Sequence, residues 1–324
     1  MKKSKILLLI VCVLTFVSAL FAFSACDNQV SDDNKVPDDF ESSNITYEIA
    51  DGYLYFGRYP QTIKAENVTI TSTINENGYC LGSDGEWYAK ITVANQPYNA
   101  SNYAFTNGIS VNTGDTHYFK LEPIKWQILA NDGESVSVVC ASIIVNKPYD
   151  DGSNNYAQSK IRAWLNDEFY NTAFNNLQKE LILTTEVDNS AESAGYPTSE
   201  YGLEVNNHVS ANTHDKIYLL SYQEILAFNE ACKNAKMLER LTSDYARAMG
   251  AEMITTTQYY GNGFWWLRSP KFGELAGGGL DFIHTSPCAR LVWADGNITG
   301  VSDVFTEHIG VVPALQIRLN VAGE

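Results

Sequence analysis

Two Asp-Gly turns constrain this chain more than any other local feature. Phe119-Lys-Leu-Glu-Pro-Ile-Lys-Trp-Gln-Ile-Leu129 and Val136-Ser-Val-Val-Cys140 flank Asn131-Asp-Gly133, while Ala289-Arg-Leu-Val-Trp293 and Asn297-Ile-Thr-Gly-Val301 flank Asp295-Gly296. Glycine tolerates the left-handed backbone of such turns, and β-branched or aromatic neighbours suit a pleat, so each set predicts an antiparallel hairpin. Between them the pattern turns helical. Ile161, Trp164, Leu165 and Phe169 share one face of a helix over residues 156–169, with Ser159 placed to cap it. Ser221-Tyr-Gln-Glu224 has the form of a capping box ahead of Ile225, Leu226 and Phe228, and a short helix over 243–249 ends at Gly250. Strands, a central helical cluster, then strands predict an α+β fold with mixed or antiparallel sheets, and argue against a doubly wound alternation.

Other strands follow from aromatic and β-branched runs. Tyr53–Gln61 should end at Pro60, Gly263–Pro270 should stop at Pro270, and Ile309–Leu319 should close the fold through Pro313. Residues 62–118 are polar and turn-rich and read as a loop insertion, apart from a strand at Trp87–Val93. From Ile45 onward no second linker or repeat interrupts the chain, so residues 45–324 are expected to form one domain.

The N-terminus follows a different logic. Lys2, Lys3 and Lys5 precede an apolar run from Ile6 to Phe23, the layout of an export signal. A retained spanning helix is the alternative for a run of this length. The segment Phe23-Ser-Ala-Cys26 resembles the lipobox of bacterial lipoproteins, which implies cleavage of residues 1–25 and lipidation of Cys26. Phe23 stands where that pattern usually has leucine. Residues 26–44 hold Asp27, Asp32, Asp33, Asp38, Asp39 and Glu41 against Lys35 alone, with few apolar positions, and read as an acidic flexible tether. Cleavage removes three lysines and no acid, so the net charge moves from −16 to −19. Such an excess of acid disfavours nucleic acid as a partner. The membrane, through the lipid, and an extracellular glycan or protein are the partners expected.

Seven segments in order carry a further resemblance: Phe56-Gly-Arg-Tyr-Pro-Gln61, Glu122-Pro-Ile-Lys-Trp126, Ile161-Arg-Ala-Trp-Leu-Asn166, Asp215-Lys-Ile-Tyr-Leu-Leu-Ser221, Thr242-Ser-Asp-Tyr-Ala246, Trp265-Trp-Leu-Arg-Ser-Pro270 and Gly310-Val-Val-Pro-Ala-Leu315. Together they resemble a bacterial domain family without assigned function, abundant in surface and secreted proteins of Firmicutes. Members often carry arginine where this chain has Val312. The Trp265–Pro270 segment, followed by a glycine-rich loop, a hairpin and a last strand, is similar to the C-type-lectin-like folds, including the formylglycine-generating-enzyme branch. The paired cysteines of that branch have no counterpart beside Cys288, so its oxidase chemistry does not transfer.

Candidate site residues are few. Trp265, Trp266, Arg268, Trp293, Asp295 and Asn297 form the most distinctive cluster, suited to stacking on a sugar ring or anchoring a protein. Adjacent strand residues face opposite sides, so one of Trp265 and Trp266 should be core and the other exposed. The competing reading makes Arg268 a buried strut bonded to loop carbonyls, with both tryptophans packed. Gly277-Gly-Gly279 lacks the Lys-Ser/Thr of a phosphate loop, and Asp281, Asp295, Asn297 and Asp303 lack calcium-loop spacing. His117, His208, His214, His284 and His308 form no paired motif, and no GxSxG is present, so no catalytic residue, metal site or cofactor is expected. Cys80, Cys140, Cys232 and Cys288 allow three pairings, and their spacing selects none. Asn44, Asn67, Asn99 and Asn297 head glycosylation patterns, which are usually silent in bacteria.

The sequence therefore points to a cell-surface lipoprotein with a non-catalytic binding domain. A hydrolase acting on wall polymers and a structural part of an envelope assembly are the alternatives. Replacing the lipidation site, Cys26→Ala, should abolish palmitate incorporation and move the protein from the membrane fraction to the soluble one. Unchanged labelling and fractionation would sink the lipid-anchor reading.

Overall fold

The computed structural model describes residues 47–94, 102–195, 210–232, 235–256, 258–271 and 287–319. Cys26, the 26–44 segment, Gly277–Gly279, Asp281, His208 and His284 lie outside them. Described residues belong to one compact unit beginning at Thr46. They form a mixed architecture of mostly antiparallel sheets with few helices, in line with the strand–helix–strand order.

The largest sheet has eight strands built around Thr116–Asn131. Tyr53–Ile63 runs along one side of it, from Tyr53 opposite Gln127 to Ile63 opposite Phe119. The other side is shared: Trp87–Thr92 pairs its first half and Ser135–Cys140 its second, with Ala314–Arg318 beyond. The Asp132-Gly133 turn joins two of these strands as expected, Gly133 having φ +89°. The 62–118 stretch is not simply an inserted loop. Ile70–Ile74 and Cys80–Gly82 extend the sheet outward from Trp87–Thr92, and their polar composition reflects an edge with much solvent contact.

Tyr53–Ile63 also passes through Pro60 instead of ending there, pairing Pro60 with Leu121. Glu48–Ala50 covers its outer edge only at Tyr53–Tyr55, so a residue without an N–H breaks no ladder at position 60. A register shift between Tyr55 and Arg58 frees the Phe56 carbonyl, which accepts from Trp126 Nε1 at 2.7 Å. Gly57 sits in that shift with φ +70°, and a Cβ there would lie 2.5 Å from the Phe174 ring and 2.8 Å from the Ala173 carbonyl.

A second sheet has five strands in the order Gly300–Asp303, Cys288–Val292, Trp265–Lys271, Gly310–Val311 and Val145–Asn146. Its central strand continues through Pro270, with a register shift between Trp266 and Pro270. The segment expected as one closing strand is two: Gly310–Val311 lies here and Ala314–Arg318 in the large sheet. Ser135–Cys140 and Val145–Asn146 make the same passage in the opposite direction. Bonds from Cys140 N to Pro313 O (2.8 Å) and Ile144 N to Val311 O (3.3 Å) hold the two crossings side by side.

The middle is helical, with one departure. After a 3-10 turn at Tyr156–Gln158, Ser159 caps Lys160–Trp164 by accepting from Arg162 N. Leu165–Phe169 then winds as a π turn before Tyr170–Ala173. Wider winding brings residues five apart onto one face. Trp164 and Phe169 accordingly stack with centroids 5.4 Å apart. The Ser221–Glu224 box forms as expected, with Ser221 N bonded to Glu224 Oε2 and Glu224 N to Ser221 Oγ, ahead of Tyr222–Cys232. Asp244–Ala248 is capped by Ser243 and followed by Gly250 at φ +99°. One apolar core joins both sheets and these helices, and a smaller one under Phe119 includes Tyr103, Phe105 and Val111. The buried Asp244 carboxylate secures the second, accepting from Ile63 N and Thr106 N at 3.1 and 2.7 Å. No helix among the described residues is long and apolar enough to cross a membrane.

Gly57 and Gly85 separate backbone strain from steric exclusion, since Gly85 shares a positive φ but has nothing within 4 Å of a Cβ. Gly85→Ala should cost about 1–2 kcal/mol. Gly57→Ala, which must also displace the Phe174 ring, should cost about 3–4 kcal/mol in denaturant unfolding. Equal losses would show that the ring moves aside freely.

Candidate functional site

The six residues singled out in the sequence divide into a buried half and an exposed half. Trp265, Trp266 and Arg268 are all at most 1% exposed, so the expectation that one tryptophan faces solvent is wrong. Alternation does send the two rings to opposite faces, but both faces are covered. Trp265 donates to Leu238 O at 3.3 Å, beneath the Arg240 guanidinium, whereas Trp266 donates to Lys147 O at 2.9 Å and packs edge-on to Tyr149. Neither ring is available to a ligand on the surface.

Arg268 joins three parts of the chain. Its Nη1 donates to Leu219 O (2.8 Å) and Glu224 Oε2 (2.5 Å), and its Nη2 to Asp188 O (2.9 Å), Ser193 Oγ (3.4 Å) and Glu224 Oε1 (2.8 Å). Burial alone would lower its pKa, but the paired Glu224 carboxylate outweighs this and raises it, so the charge is kept. Glu224 thus has two roles, capping its helix and neutralising a buried guanidinium 44 residues away. The strut reading of Arg268 matches these contacts.

Beside Arg268 is a narrow recess with room for about one water molecule. Tyr156, Asn189, Ser193, Ser221 and Ser269 share its lining with Arg268. Two of its lining residues carry a buried polar atom without a hydrogen-bond partner, Arg268 Nε and Asn189 Oδ1. The Asn189 amide is oriented by its nitrogen, which donates to Ala211 O at 2.9 Å. Tyr156 Oη accepts from Leu219 N, and burial raises its pKa well beyond the ordinary phenol range, so its proton stays in place. Asn189, Ser193 and Tyr156 were not identified from the sequence. Their only common signal is polarity without a turn or cap to explain it.

Trp293, Asp295 and Asn297 form the exposed half, at the tip of the second Asp-Gly hairpin. Trp293 N donates to Asn297 O and Gly296 N to Trp293 O, while Asp295 Oδ1 accepts from Asn297 N and Asn297 Oδ1 from Thr299 N. The indole is 43% exposed and is held edge-on by Phe264 at 5.2 Å. Of the six tryptophans it alone is exposed. Leu241 and Tyr260, also exposed, belong to segments that Asn262 ties to the hairpin by pairing with Leu241 and donating to Ala294 O at 3.1 Å.

Cys288 and His308 are engaged by side chains from elsewhere in the sequence. Cys288 Sγ lies 3.4 Å from Asp303 Oδ1, and His308 pairs with Glu252 at 3.0 Å. Cys80 and Cys140 are free thiols, and burial pushes the Cys140 pKa up to about 11. Among the described residues no three His, Cys, Asp or Glu side chains gather as metal ligands.

A double-mutant cycle tests the Arg268 node. Arg268→Met should cost about 2–4 kcal/mol in denaturant unfolding, because it leaves buried carbonyls without donors. Pairing it with Glu224→Met should cost at least about 1 kcal/mol less than the sum of the single changes, the interaction being damped because Glu224 is partly solvated. Strict additivity would show that the two side chains are not coupled.

No curated protein and no solved structure matches the chain. A family model described as a domain of unknown function, DUF6273, matches residues 134–319. That span holds the Arg268 strand, the Glu224 helix, the recess and the Trp293 hairpin. The chain belongs to the DUF6273 family.

Proposed function

We propose that this protein is a lipoprotein anchored through Cys26 on the extracytoplasmic face of the membrane, whose folded domain binds an extracellular glycan without catalysis. The observation that carries the binding reading is Trp293. A large apolar ring facing water costs solvation free energy, and here it is held in place by Phe264 and a hydrogen-bonded turn. Asp295 and Asn297 stand beside it with Oδ1 atoms used in the turn, which leaves the Asn297 amide nitrogen for an outside acceptor. A fixed indole flanked by polar groups suits the face of a sugar ring and its hydroxyls. The acidic tether fits the same picture, since like charge repels it from an anionic surface. A C-type-lectin-like fold belongs to this proposal and is supported by the order of aromatic strand, hairpin and a last pair of short strands.

Screening the domain on immobilised cell-surface glycans tests the proposal. Trp293→Ala should abolish retention while leaving the melting temperature within about 2 °C, as expected for a surface change. No retention on any glycan, together with turnover of a wall polymer by the purified protein, would favour the hydrolase alternative and overturn the binding reading.

A further inference from the structure

We infer, on the glycan reading of Trp293, that the sugar bound there carries free ammonium groups: an amino sugar left unacetylated, in preference to a neutral or an acidic one. The charges that accompany the ring make the case. Residues 291–317 contain Asp295, Asp303 and Glu307 and no lysine or arginine. Asp295 is exposed at the hairpin tip, and its Oδ1 accepts from Asn297 N, which leaves Oδ2 for an outside donor.

A second carboxylate comes from another part of the chain. Asn262 Nδ2 donates to Ala294 O at 3.1 Å and to Glu239 Oε2 at 3.2 Å. Two acceptors on one amide nitrogen lie about 5–6 Å apart, so the half-buried Glu239 stands close to the backbone between Trp293 and Asp295. Nearby positive charge is turned inward. Arg240 is 3% exposed and donates to the Cys140, Met237 and Glu239 carbonyls and to Gln127 Oε1. Arg247 lies beneath Gly261, buried and paired with Asp244 at 3.7 Å, and the buried Arg290 guanidinium stacks on Tyr222. Lys236 is exposed three residues before Glu239, so Asp295 is the less compensated of the two carboxylates.

These charges decide among sugars. A cation near an indole face is attracted by the ring quadrupole, and a carboxylate alongside adds to the attraction. An acidic sugar would approach two carboxylates on a hairpin without a base, and the acid excess of the whole chain repels it from further off. Acetylation removes the ammonium and with it both attractions. Exposed charge pairs are worth about twofold to fivefold in affinity each, so two of them give about tenfold.

Nitrogen-15 spectra of the intact protein can follow the Trp293 indole N–H, assigned by its loss in Trp293→Ala. The probes are tetramers of glucosamine, N-acetylglucosamine, galacturonic acid and lysine. In about 20 mM salt the glucosamine tetramer should bind about tenfold more tightly than the acetylated one, and the preference should shrink in about 300 mM salt, where exposed charges are screened. The galacturonate tetramer should bind more weakly than either, and the lysine tetramer, which has charge but no sugar face, more weakly than glucosamine. Asp295→Asn and Glu239→Gln keep the oxygen that accepts from their neighbours and remove the charge. Each should lower affinity for the glucosamine tetramer about twofold to fivefold, Asp295→Asn the more, and leave the acetylated tetramer unaffected. Equal or tighter binding of the acetylated or acidic tetramer would overturn the inference and leave the glycan reading of Trp293 in place. Equal binding of the lysine tetramer would overturn it too, by reducing the site to a surface for any polycation. A protein that engages no glycan, here or in the screen, loses both.

Discussion

A guanidinium with 1% exposure is the constraint around which this half of the molecule is arranged. A charge removed from water is tolerable only where its hydrogens meet oxygen and a counter-charge lies close by. Around Arg268 those demands fix the Leu219 and Asp188 carbonyls and both oxygens of Glu224. Glu224 is also the third residue of its helix cap, so satisfying the arginine sets how the helix start meets the Trp265–Lys271 strand. Removing Arg268 would therefore unseat a strand, a helix end and a loop together, which makes a structural reason sufficient for its presence in the Trp-Trp-Leu-Arg-Ser-Pro segment.

What could be read from the residues was local. The Asp-Gly hairpins, the Ser159 and Ser243 caps and the Ser221–Glu224 box each depend on atoms within a few positions, and all formed. The misreadings depended on distant chain. Alternation correctly put Trp265 and Trp266 on opposite faces, but the covering carbonyls belong to Leu238 and Lys147, 27 and 119 residues away. Pro60 looked like a strand end because nothing nearby shows that its outer edge lacks a partner strand. The π turn was hidden because Ile161, Trp164, Leu165 and Phe169 also satisfy an ordinary helical period, and only the Trp164–Phe169 stacking reveals the wider winding. Asn189 and Tyr156 reach the recess through long-range packing that no spacing rule contains.

The Trp293 hairpin and the Arg268 node share one support. Arg268 lies within the Trp265–Lys271 strand, and Trp293 directly follows its partner strand Cys288–Val292, in which Val292 is opposite Trp265. Both strands are buried almost throughout. Groups carried on such a sheet keep their positions without being ordered by the ligand, and that lowers the entropy lost on binding. The hairpin tip presents an exposed apolar face, whereas Arg268 is enclosed.

The first and last strands of the matched family span pair with each other. Ser135 is opposite Arg318, and Leu319 N donates to Glu134 O at 2.8 Å. A unit whose two ends meet in one ladder can be carried within a longer polypeptide, or have its ends relocated to another loop, without stretching its sheet. In this chain Thr116–Asn131 lies against the first matched strand and Tyr53–Ile63 against Thr116–Asn131, so residues outside the span continue its sheet. The matched span thus has a seam as well as a surface: the ladder edge of Ser135–Cys140, which in this chain a strand from outside the span closes.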